Sequence, residues 1–167
     1  MGQQGKKKKA HPAYKDMLCK DIPVSIRFDN FDKKAVNVLN EILMQTGADI
    51  VVSSNWREIA TLDELGEYYL AQGIIKVPIG VTKFFSRTYY PPDYPTDRNN
   101  QQEQERSLEI LLYLKEHPEI AQWVSIDDLD MGSNDRDWGL DNFVWTPQAT
   151  EGIKQTGKKQ EVIKFIS

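Results

Sequence analysis

The sequence TGADIVVSSNWR, at residues 46–57, decides the fold of this chain. Thr46 and Gly47 end a segment with apolar residues at helical spacing, and residues 48–52 form a short apolar run. Such a run is typical of a strand that is buried in a parallel sheet. Polar residues follow it from Ser53 to Arg57. Parallel α/β sheets bind ligands beyond the carboxyl ends of their strands, so this loop is the first candidate site.

Helices and strands alternate on both sides of this stretch. Apolar periodicity predicts helices at 32–46, from Thr61 or Asp63 to about Gly73, at 104–116 and at 161–166. Short apolar runs predict strands at 74–79, 123–126 and 142–145. The alternation indicates parallel β-α-β units and the α/β fold class. A long loop rich in Tyr and Pro interrupts the pattern at about residues 82–104, and loops of this length are either functional or disordered.

Length and composition limit the classes of protein that this chain can represent. Its 167 residues, of which 40% are hydrophobic and 28% charged, predict one globular domain. No apolar run reaches the roughly 20 residues of a membrane-spanning helix, so no transmembrane segment is predicted. Cys19 is the one cysteine, so no intrachain disulfide can form. This favours an intracellular, reducing compartment and leaves open the choice between cytoplasm and an organelle.

The first 20 residues differ from the rest in charge. They hold six Lys and one Asp, a net charge of +5. The whole chain has a net charge of −4, so the remaining residues have a net charge of −9. We predict a basic N-terminal arm at residues 1–20, flexible or docked on a partner, followed by one α/β domain at residues 21–167. Gly2 also permits N-myristoylation, although position 6 is Lys rather than Ser or Thr.

Two groups of residues are candidates for contact with a partner. The basic run offers contact with RNA, an anionic surface or a partner subunit. Tyr residues outside a core are common in docking surfaces. The candidate docking residues are Lys6, Lys7, Lys8, Lys9, Tyr89, Tyr90 and Tyr94.

Two further predicted strands also end in polar residues. Asp127 and Asp128 follow the strand at 123–126, and paired aspartates at a strand end are able to hold Mg²⁺, which prefers oxygen ligands. Thr146 follows the strand at 142–145. Arg106, in the helix that precedes the Asp pair, offers positive charge to the same ligand.

Each of these residues also has a purely structural alternative. Adjacent aspartates are common in turns, and Ser53 and Ser54 are suited to capping the next helix. Trp56 is more typical of a core residue than of a stacking platform. Arg57 is more often the partner of a buried carboxylate than a ligand-binding residue.

Five segments in order resemble one known family. They are residues 28–39 (FDNFDKKAVNVL), 46–57 (TGADIVVSSNWR), 106–110 (RSLEI), 124–128 (VSIDD) and 146–152 (TPQATEG). Together they resemble the haloacid dehalogenase-like (HAD-like) domain found in Swiss Army Knife RNA repair proteins, over about residues 28–166. The resemblance implies a three-layer HAD-like (Rossmannoid) α/β domain with a mainly parallel sheet.

The resemblance also implies roles for the residues of three motifs. Ser53 or its neighbour Ser54 corresponds to the motif that binds a phosphoryl oxygen. Arg106 corresponds to the family's cation, and Asp127 and Asp128 to the motif that helps to hold Mg²⁺.

A first motif that the resemblance requires is missing from the sequence. The HAD reaction uses an aspartate at the tip of the first strand as covalent nucleophile, and a second aspartate two residues on as acid and base. Residues 1–27 contain no such pair, so the first strand is expected to be lacking or altered. Residues 24–28 offer an alternative strand that ends at Asp29, with Asp32 three residues on. Asp29 is therefore the one weak candidate for a nucleophile.

Two function hypotheses follow. The first is a catalytically inactive HAD-like domain that acts as a structural or interaction subunit within a larger assembly of protein subunits and requires no cofactor. The second is a Mg²⁺-dependent HAD-type phosphatase on nucleotide or RNA phosphate ends, whose first motif has diverged or is supplied by another chain. The missing motif favours the first hypothesis.

Overall fold

A computed structural model describes residues 21–85 and 93–167. The α-helices of this part are α1 (Val24–Arg27), α2 (Lys33–Thr46), α3 (Leu62–Ala71), α4 (Gln101–Glu116) and α5 (Lys158–Ile166). The strands are β1 (Ile50–Val52), β2 (Pro78–Val81), β3 (Ser125–Asp127) and β4 (Phe143–Trp145). Two short 3-10 helices lie at Asn55–Glu58 and Gly152–Lys154. Among the helices so described, none is long and apolar enough to cross a membrane.

The helices that periodicity predicted are present, and local capping sets their ends. The Asp32 carboxylate accepts hydrogen bonds from the second and third residues of α2, at 2.8 and 3.0 Å, and satisfies amides that have no partner inside the helix. Gly47 ends α2 with φ of 71°, a left-handed conformation that glycine adopts without steric cost. At α3, Thr61 rather than Asp63 is the cap, and it forms a capping box with Glu64.

The alternative strand at residues 24–28 is not formed, because Val24–Arg27 is the single helical turn α1. Pro23 precedes the turn, and its carbonyl accepts the amide of Ile26 at 3.0 Å. Arg27 then fixes the turn from outside. Its guanidinium donates to the carbonyl of Ile59 at 3.0 Å and forms an ion pair with Glu64. The alternating pattern of this segment indicated a strand, but contacts with the start of α3 decide the local structure.

The strands form two parallel pairs, in keeping with the predicted α/β class. β1 pairs with β2, and Val51 lies opposite Gly80. β3 pairs with β4, and Ile126 lies opposite Val144. In the described ranges each sheet has these two strands only. The chain is therefore an α/β protein with small parallel sheets.

The second predicted strand begins later than the sequence indicated, at Pro78 instead of residue 74. Ile74 is only 4% exposed and packs beneath α2 and α3 in the core. The next residues are held by side chains: the amide of Ile75 donates to Asn40 in α2 at 3.0 Å, and Lys76 donates to the carbonyl of Ala48 at 2.8 Å. These bonds replace strand pairing, so pairing starts after them.

Helices α2 and α4 each contact both sheets. On α2, Leu43 packs toward β1, whereas Ile42 packs with Val144 of β4 and with α5. On α4, Ile110 packs with Met131 and Leu140, which lie between β3 and β4, and Phe143 of β4 packs against the same cluster. The hydroxyl of Tyr113, also on α4, lies so close to the β2 backbone that a Cβ at position 80 would collide with it. These two helices therefore join the two halves of the domain.

We expect Tyr69 of α3 to make stability depend on alkaline pH. Its ring packs edge-on against Phe31 at 5.4 Å, and burial raises the pKa of its hydroxyl from 10.0 to about 12. The unfolded chain then ionises first, so the Tyr69 contribution is intact below pH 10 and is lost as the pH rises toward 12. Between pH 10 and pH 12, the free energy of unfolding measured in urea should fall by roughly 2–3 kcal/mol less for Tyr69→Phe than for the parent chain. Equal losses in both chains would contradict this assignment.

Candidate functional site

The loop after β1 is organised by the buried guanidinium of Arg57. It donates to the carbonyls of Ser53 and, at 2.9 Å, of Ser54, and it forms an ion pair with Glu109 of α4. The ring of Phe84 lies 4.1 Å from its central carbon, and the Arg57 side chain is 2% exposed. Burial lowers the pKa of Arg57, while the Glu109 carboxylate opposes that shift. The prediction that Arg57 is the partner of a buried carboxylate is confirmed.

Glu109 joins this loop to the segment after β2. One carboxylate oxygen pairs with Arg57, and the other accepts the amide of Phe85 at 2.6 Å. The Glu109 side chain is 7% exposed, so both charges of the pair are removed from water. The pair thus fixes the ends of two neighbouring strands to one helix.

Trp56 lies in the core, as predicted. Its ring stacks on Phe28 at 4.3 Å and on Phe31 at 5.3 Å, and it packs edge-on against Tyr68. The indole is therefore part of the aromatic cluster that anchors α1 and α3 to β1.

Three side chains meet where β1 and β3 end, and we call Asn55, Arg106 and Asp127 the strand-tip cluster. Arg106 of α4 donates to the Asp127 carboxylate at 3.0 Å and to the side-chain oxygen of Asn55 at 3.0 Å. The Arg106 and Asp127 side chains are 13% and 8% exposed. The cluster brings the carboxyl ends of β1 and β3 to the same edge of the domain, as the sequence predicted for Arg106 and Asp127.

Opposing effects act on the pKa of Asp127, which is a buried acid. Burial raises the pKa of its carboxyl, and a hydrogen bond with Asp128 adds to that shift. The Leu129 amide, which donates to Asp127 at 3.0 Å, and the Arg106 guanidinium act in the opposite direction. Asp128 itself is exposed, and its carbonyl accepts the indole N–H of Trp145 at 3.0 Å.

The residues in place do not fit the Mg²⁺ that the resemblance implies. Mg²⁺ requires near-octahedral oxygen coordination. Asp127 already uses one oxygen for the Leu129 amide and the other for Arg106, whose positive charge repels a cation. Within residues 21–85 and 93–167, no three acidic, His or Cys side chains are grouped closely enough to hold a metal ion. As described, the strand-tip cluster is an ion pair between Arg106 and Asp127.

Hydroxyl groups lie at the ends of the other strands. Ser54 stands at the start of the 3-10 helix after β1 but makes no side-chain capping bond there. Thr146 follows β4, is 4% exposed, and donates its amide to the carbonyl of Asp127 at 2.9 Å. Thr82 follows β2 and is 3% exposed, and its hydroxyl has no hydrogen-bond partner among the described residues.

A cavity of about 540 Å³ lies behind the strand tips and is lined by both β1 and β3. We call it the inter-sheet channel. Ser53 and Thr82 contribute to its lining, as do α2, α4 and α5. Ser53 therefore faces this channel and is not bound into the strand-tip cluster by any of the hydrogen bonds given above.

The other predicted site residues are not brought to the strand tips. Asp29 is exposed in the connection between α1 and α2, where its carbonyl accepts the hydroxyl of Tyr68 at 2.8 Å. In the part of the chain that the structure covers, no hydrogen bond or ion pair joins Asp29 to the strand-tip cluster. Tyr94 is half-buried. The remaining candidates for docking, which are Lys6, Lys7, Lys8, Lys9, Tyr89 and Tyr90, lie outside the described residues.

Sequence reasoning missed Asn55, Glu109 and Thr82. Asn55 lies in the loop quoted above, but only Ser53 and Ser54 beside it were predicted to bind a ligand. Glu109 is an acid on the face of α4 that also carries Leu108 and Ile110, and a buried acid needs a partner. The place of Glu109 on an apolar helix face was the indication in the sequence that it pairs with a buried cation such as Arg57. Thr82 gave no signal because the predicted strand ended at residue 79.

Comparison with known families agrees with the HAD-like domain. The family described as the HAD domain in Swiss Army Knife RNA repair proteins matches residues 3–156. This match covers most of the chain, so the chain belongs to that family, and the predicted HAD-like domain is confirmed. The matched range begins within the segment predicted as an arm and ends before α5. No curated protein and no solved structure matches the chain.

Proposed function

We propose that this chain is a catalytically inactive HAD-like domain and serves as a structural and interaction subunit of a larger assembly. The observation that carries the proposal is the position of Asp29, the one candidate for the nucleophile. It is exposed in the connection between α1 and α2, and among the described residues no hydrogen bond or ion pair joins it to the strand-tip cluster. Phosphoryl transfer through a covalent intermediate needs an attacking carboxylate at that edge of the domain.

Among the described residues, the one histidine is too far from the strand tips to activate a hydroxyl nucleophile in place of the missing carboxylate. His117 follows the far end of α4, eleven residues from Arg106, which corresponds to roughly 16 Å of helix. It is hydrogen-bonded to Glu119 at 2.9 Å and stacked on Tyr113 at 4.2 Å. Ser53 therefore has no histidine base among the described residues.

Exposed apolar side chains support the interaction role. Ile75, Val77 and Ile79 lie in or just before β2, and between 44% and 55% of each side chain is exposed. Grouped exposed apolar residues mark binding surfaces, whereas single ones do not. The basic run from Lys6 to Lys9 is proposed to add contact with an anionic partner surface. We also propose an intracellular, reducing location, because Cys19 is unpaired within the chain.

The layer arrangement forms part of the same proposal. We propose that both sheets share one layer, with α2 and α5 on one face and α4 on the other, as in a three-layer Rossmannoid domain. The support is that α2 and α4 each pack against both sheets.

A Mg²⁺-dependent phosphatase acting on nucleotide or RNA phosphate ends is the second candidate. One observation favours it: the chain matches the family described as the HAD domain in Swiss Army Knife RNA repair proteins over residues 3–156. The first motif would then have diverged, or another chain would supply it.

A phosphatase assay of the full chain distinguishes the two candidates. With Mg²⁺, 4-nitrophenyl phosphate and a phosphorylated oligoribonucleotide, we expect turnover no higher than that of the Asp29→Asn and Asp127→Asn variants. Far-UV circular dichroism confirms that each variant is folded. Turnover in the parent chain that Asp29→Asn abolishes would establish the phosphatase and overturn the inactive-domain proposal.

A further inference from the structure

Trp145, the last residue of β4, is the most exposed tryptophan in the part of the chain that the structure describes. It is 43% exposed, whereas Trp138 is 5% exposed and Trp56 packs in the aromatic core cluster. A tryptophan ring has a large apolar surface, so leaving it in water forgoes a large gain in free energy. Tryptophan is also enriched among the residues that dominate binding at protein interfaces. The exposure of Trp145 therefore indicates a contact with a partner.

The indole of Trp145 is held in place although it is exposed. Its N–H donates to the carbonyl of Asp128 at 3.0 Å, and the amide of Thr146, the next residue, donates to the carbonyl of Asp127 at 2.9 Å. These two bonds tie the end of β4 to the end of β3. A ring that is fixed before a partner binds loses little conformational entropy on binding.

Strand register places Trp145 beside Asp127. The two residues lie opposite each other in the parallel pair of β3 and β4, and neighbouring strands are about 4.8 Å apart. Val144 and Ile126, one residue earlier in each strand, pack on the side of α2 and α5. Because side chains alternate along a strand, Trp145 and Asp127 lie on the opposite face, where Arg106 of α4 binds Asp127.

The surroundings of the ring carry net negative charge. The carboxyl groups of Asp127 and Asp128 are hydrogen-bonded to each other. Among the described residues, Arg106 is the only cation that forms an ion pair with either of them. Two carboxylates and one guanidinium leave a net charge of about −1 next to the indole when both acids are ionised. Residues 21–167 as a whole have a net charge of −9, so the wider field has the same sign.

The ring is also free to receive a cation. In the described part of the chain, no aromatic ring contacts Trp145 and no cationic side chain lies over it, whereas the guanidinium of Arg136 lies 5.0 Å from the ring of Trp138. The face of an indole attracts cations more strongly than any other aromatic side chain does. The exposed carboxylate of Asp128 attracts the same charge.

The combination of ring and carboxylate favours a guanidinium over other ligands. A guanidinium is planar, stacks on aromatic faces and donates hydrogen bonds to carboxylates, whereas a lysine ammonium is a point charge with no plane to stack. A nucleobase would also stack on the indole, but the phosphate that accompanies it would be repelled by the net negative charge.

We propose that Trp145 and Asp128 recognise an arginine side chain of a protein partner, with its guanidinium stacked on the indole and hydrogen-bonded to the Asp128 carboxylate. The proposal rests on the interaction role proposed above, to which it adds a site and the chemistry of the partner. It requires no catalytic activity of the domain.

Nuclear magnetic resonance of the full chain with short peptides tests the proposal. The probe is acetyl-Gly-Arg-Gly-amide, and the matched control replaces arginine by citrulline, which has nearly the same shape but no charge. The arginine peptide should shift the indole N–H signal of Trp145 and leave that of Trp56 unchanged. Its dissociation constant should be about fivefold lower than that of the citrulline peptide. No shift, or equal binding of both peptides, overturns the proposal.

Three variants separate the ring from the charge, with binding followed through the backbone amides of residues 127–129. Trp145→Leu removes the ring and should weaken the arginine peptide about fivefold, whereas Trp145→Phe keeps a ring and should stay within about twofold of the parent. Asp128→Asn removes one charge at constant shape and should weaken binding about threefold. Circular dichroism shows that each variant is folded. Unchanged affinity in both Trp145→Leu and Asp128→Asn contradicts the assigned site.

Two other occupants are tested in the same measurements. If adenosine monophosphate shifts the Trp145 indole signal at equal or lower concentration than the arginine peptide, the ring is a nucleobase platform and the proposal is wrong. If the signal shifts when the free chain is diluted and a dimer dissociates, a second copy covers the ring and the proposal is again wrong. Phosphatase turnover would overturn the inactive-domain proposal and leave these binding results unaffected, so the two failures are distinguishable.

Discussion

Glu109→Ala is expected to destabilise the domain by about 3–5 kcal/mol, because it leaves the Arg57 guanidinium buried without its counter-charge. Both side chains of the pair are less than a tenth exposed, so water does not replace the lost carboxylate. The amide of Phe85 also loses its acceptor. Each kcal/mol lowers the melting temperature by roughly 2–4 °C for a domain of this size. Urea unfolding and thermal unfolding of the variant both measure the effect.

The double variant Arg57→Met, Glu109→Leu separates charge burial from packing. Replacing both members of a buried ion pair by apolar residues of similar size is often close to neutral, so the double variant should be more stable than Glu109→Ala. The exposed pair between Lys159 and Glu41 serves as a control, and Lys159→Met should change stability by less than about 1 kcal/mol. Similar losses of unfolding free energy in Glu109→Ala and Lys159→Met would mean that the buried pair stabilises the domain no more than an exposed pair does.

Much of the fold was predictable from local pattern, because the signals are local. Apolar residues at helical spacing predicted α2, Gly47 predicted its end, and a short apolar run predicted β1. Where long-range contacts decide the structure, the sequence misled. The segment of α1 alternates like a strand, yet Arg27 binds groups that are more than thirty residues away in the chain.

The candidate site was predictable to a similar extent. Strand ends and the family resemblance together indicated Arg106 and Asp127, and the structure brings these two residues into contact. The partner that each side chain takes was not predictable. The resemblance assigned Asp127 to a metal-binding motif, and it did not indicate the direct ion pair with Arg106. Glu109 looked like one of many helical acids, and only the packing of α4 against the loop after β1 makes it a buried charge.

The absence of a first strand from the described residues has a physical consequence for the rest of the domain. With β1 and β3 unpaired along the channel, the two sheets are held together by helices and by the strand-tip cluster. Stability that a continuous sheet would provide must then come from the packing of α2 and α4. Substitutions on these helices should accordingly have large effects.

Ile42→Ala in α2 is the most direct test of this dependence. Ile42 is 2% exposed and packs with Val144 of β4 and Val162 of α5, whereas Leu43 beside it packs toward the other sheet. Removing three carbons from a buried site of this kind costs about 2–5 kcal/mol, through lost burial and the cavity that remains. We expect that loss in urea unfolding followed by circular dichroism and by tryptophan fluorescence.

Met44→Ala is the matched control, because Met44 lies on the same helix and is 68% exposed. It should change the free energy of unfolding by about 0.5 kcal/mol or less. A small effect of Ile42→Ala, equal to that of Met44→Ala, would show that α2 does not hold the two halves together. The joining role would then fall to α4 and the bonds of Arg106.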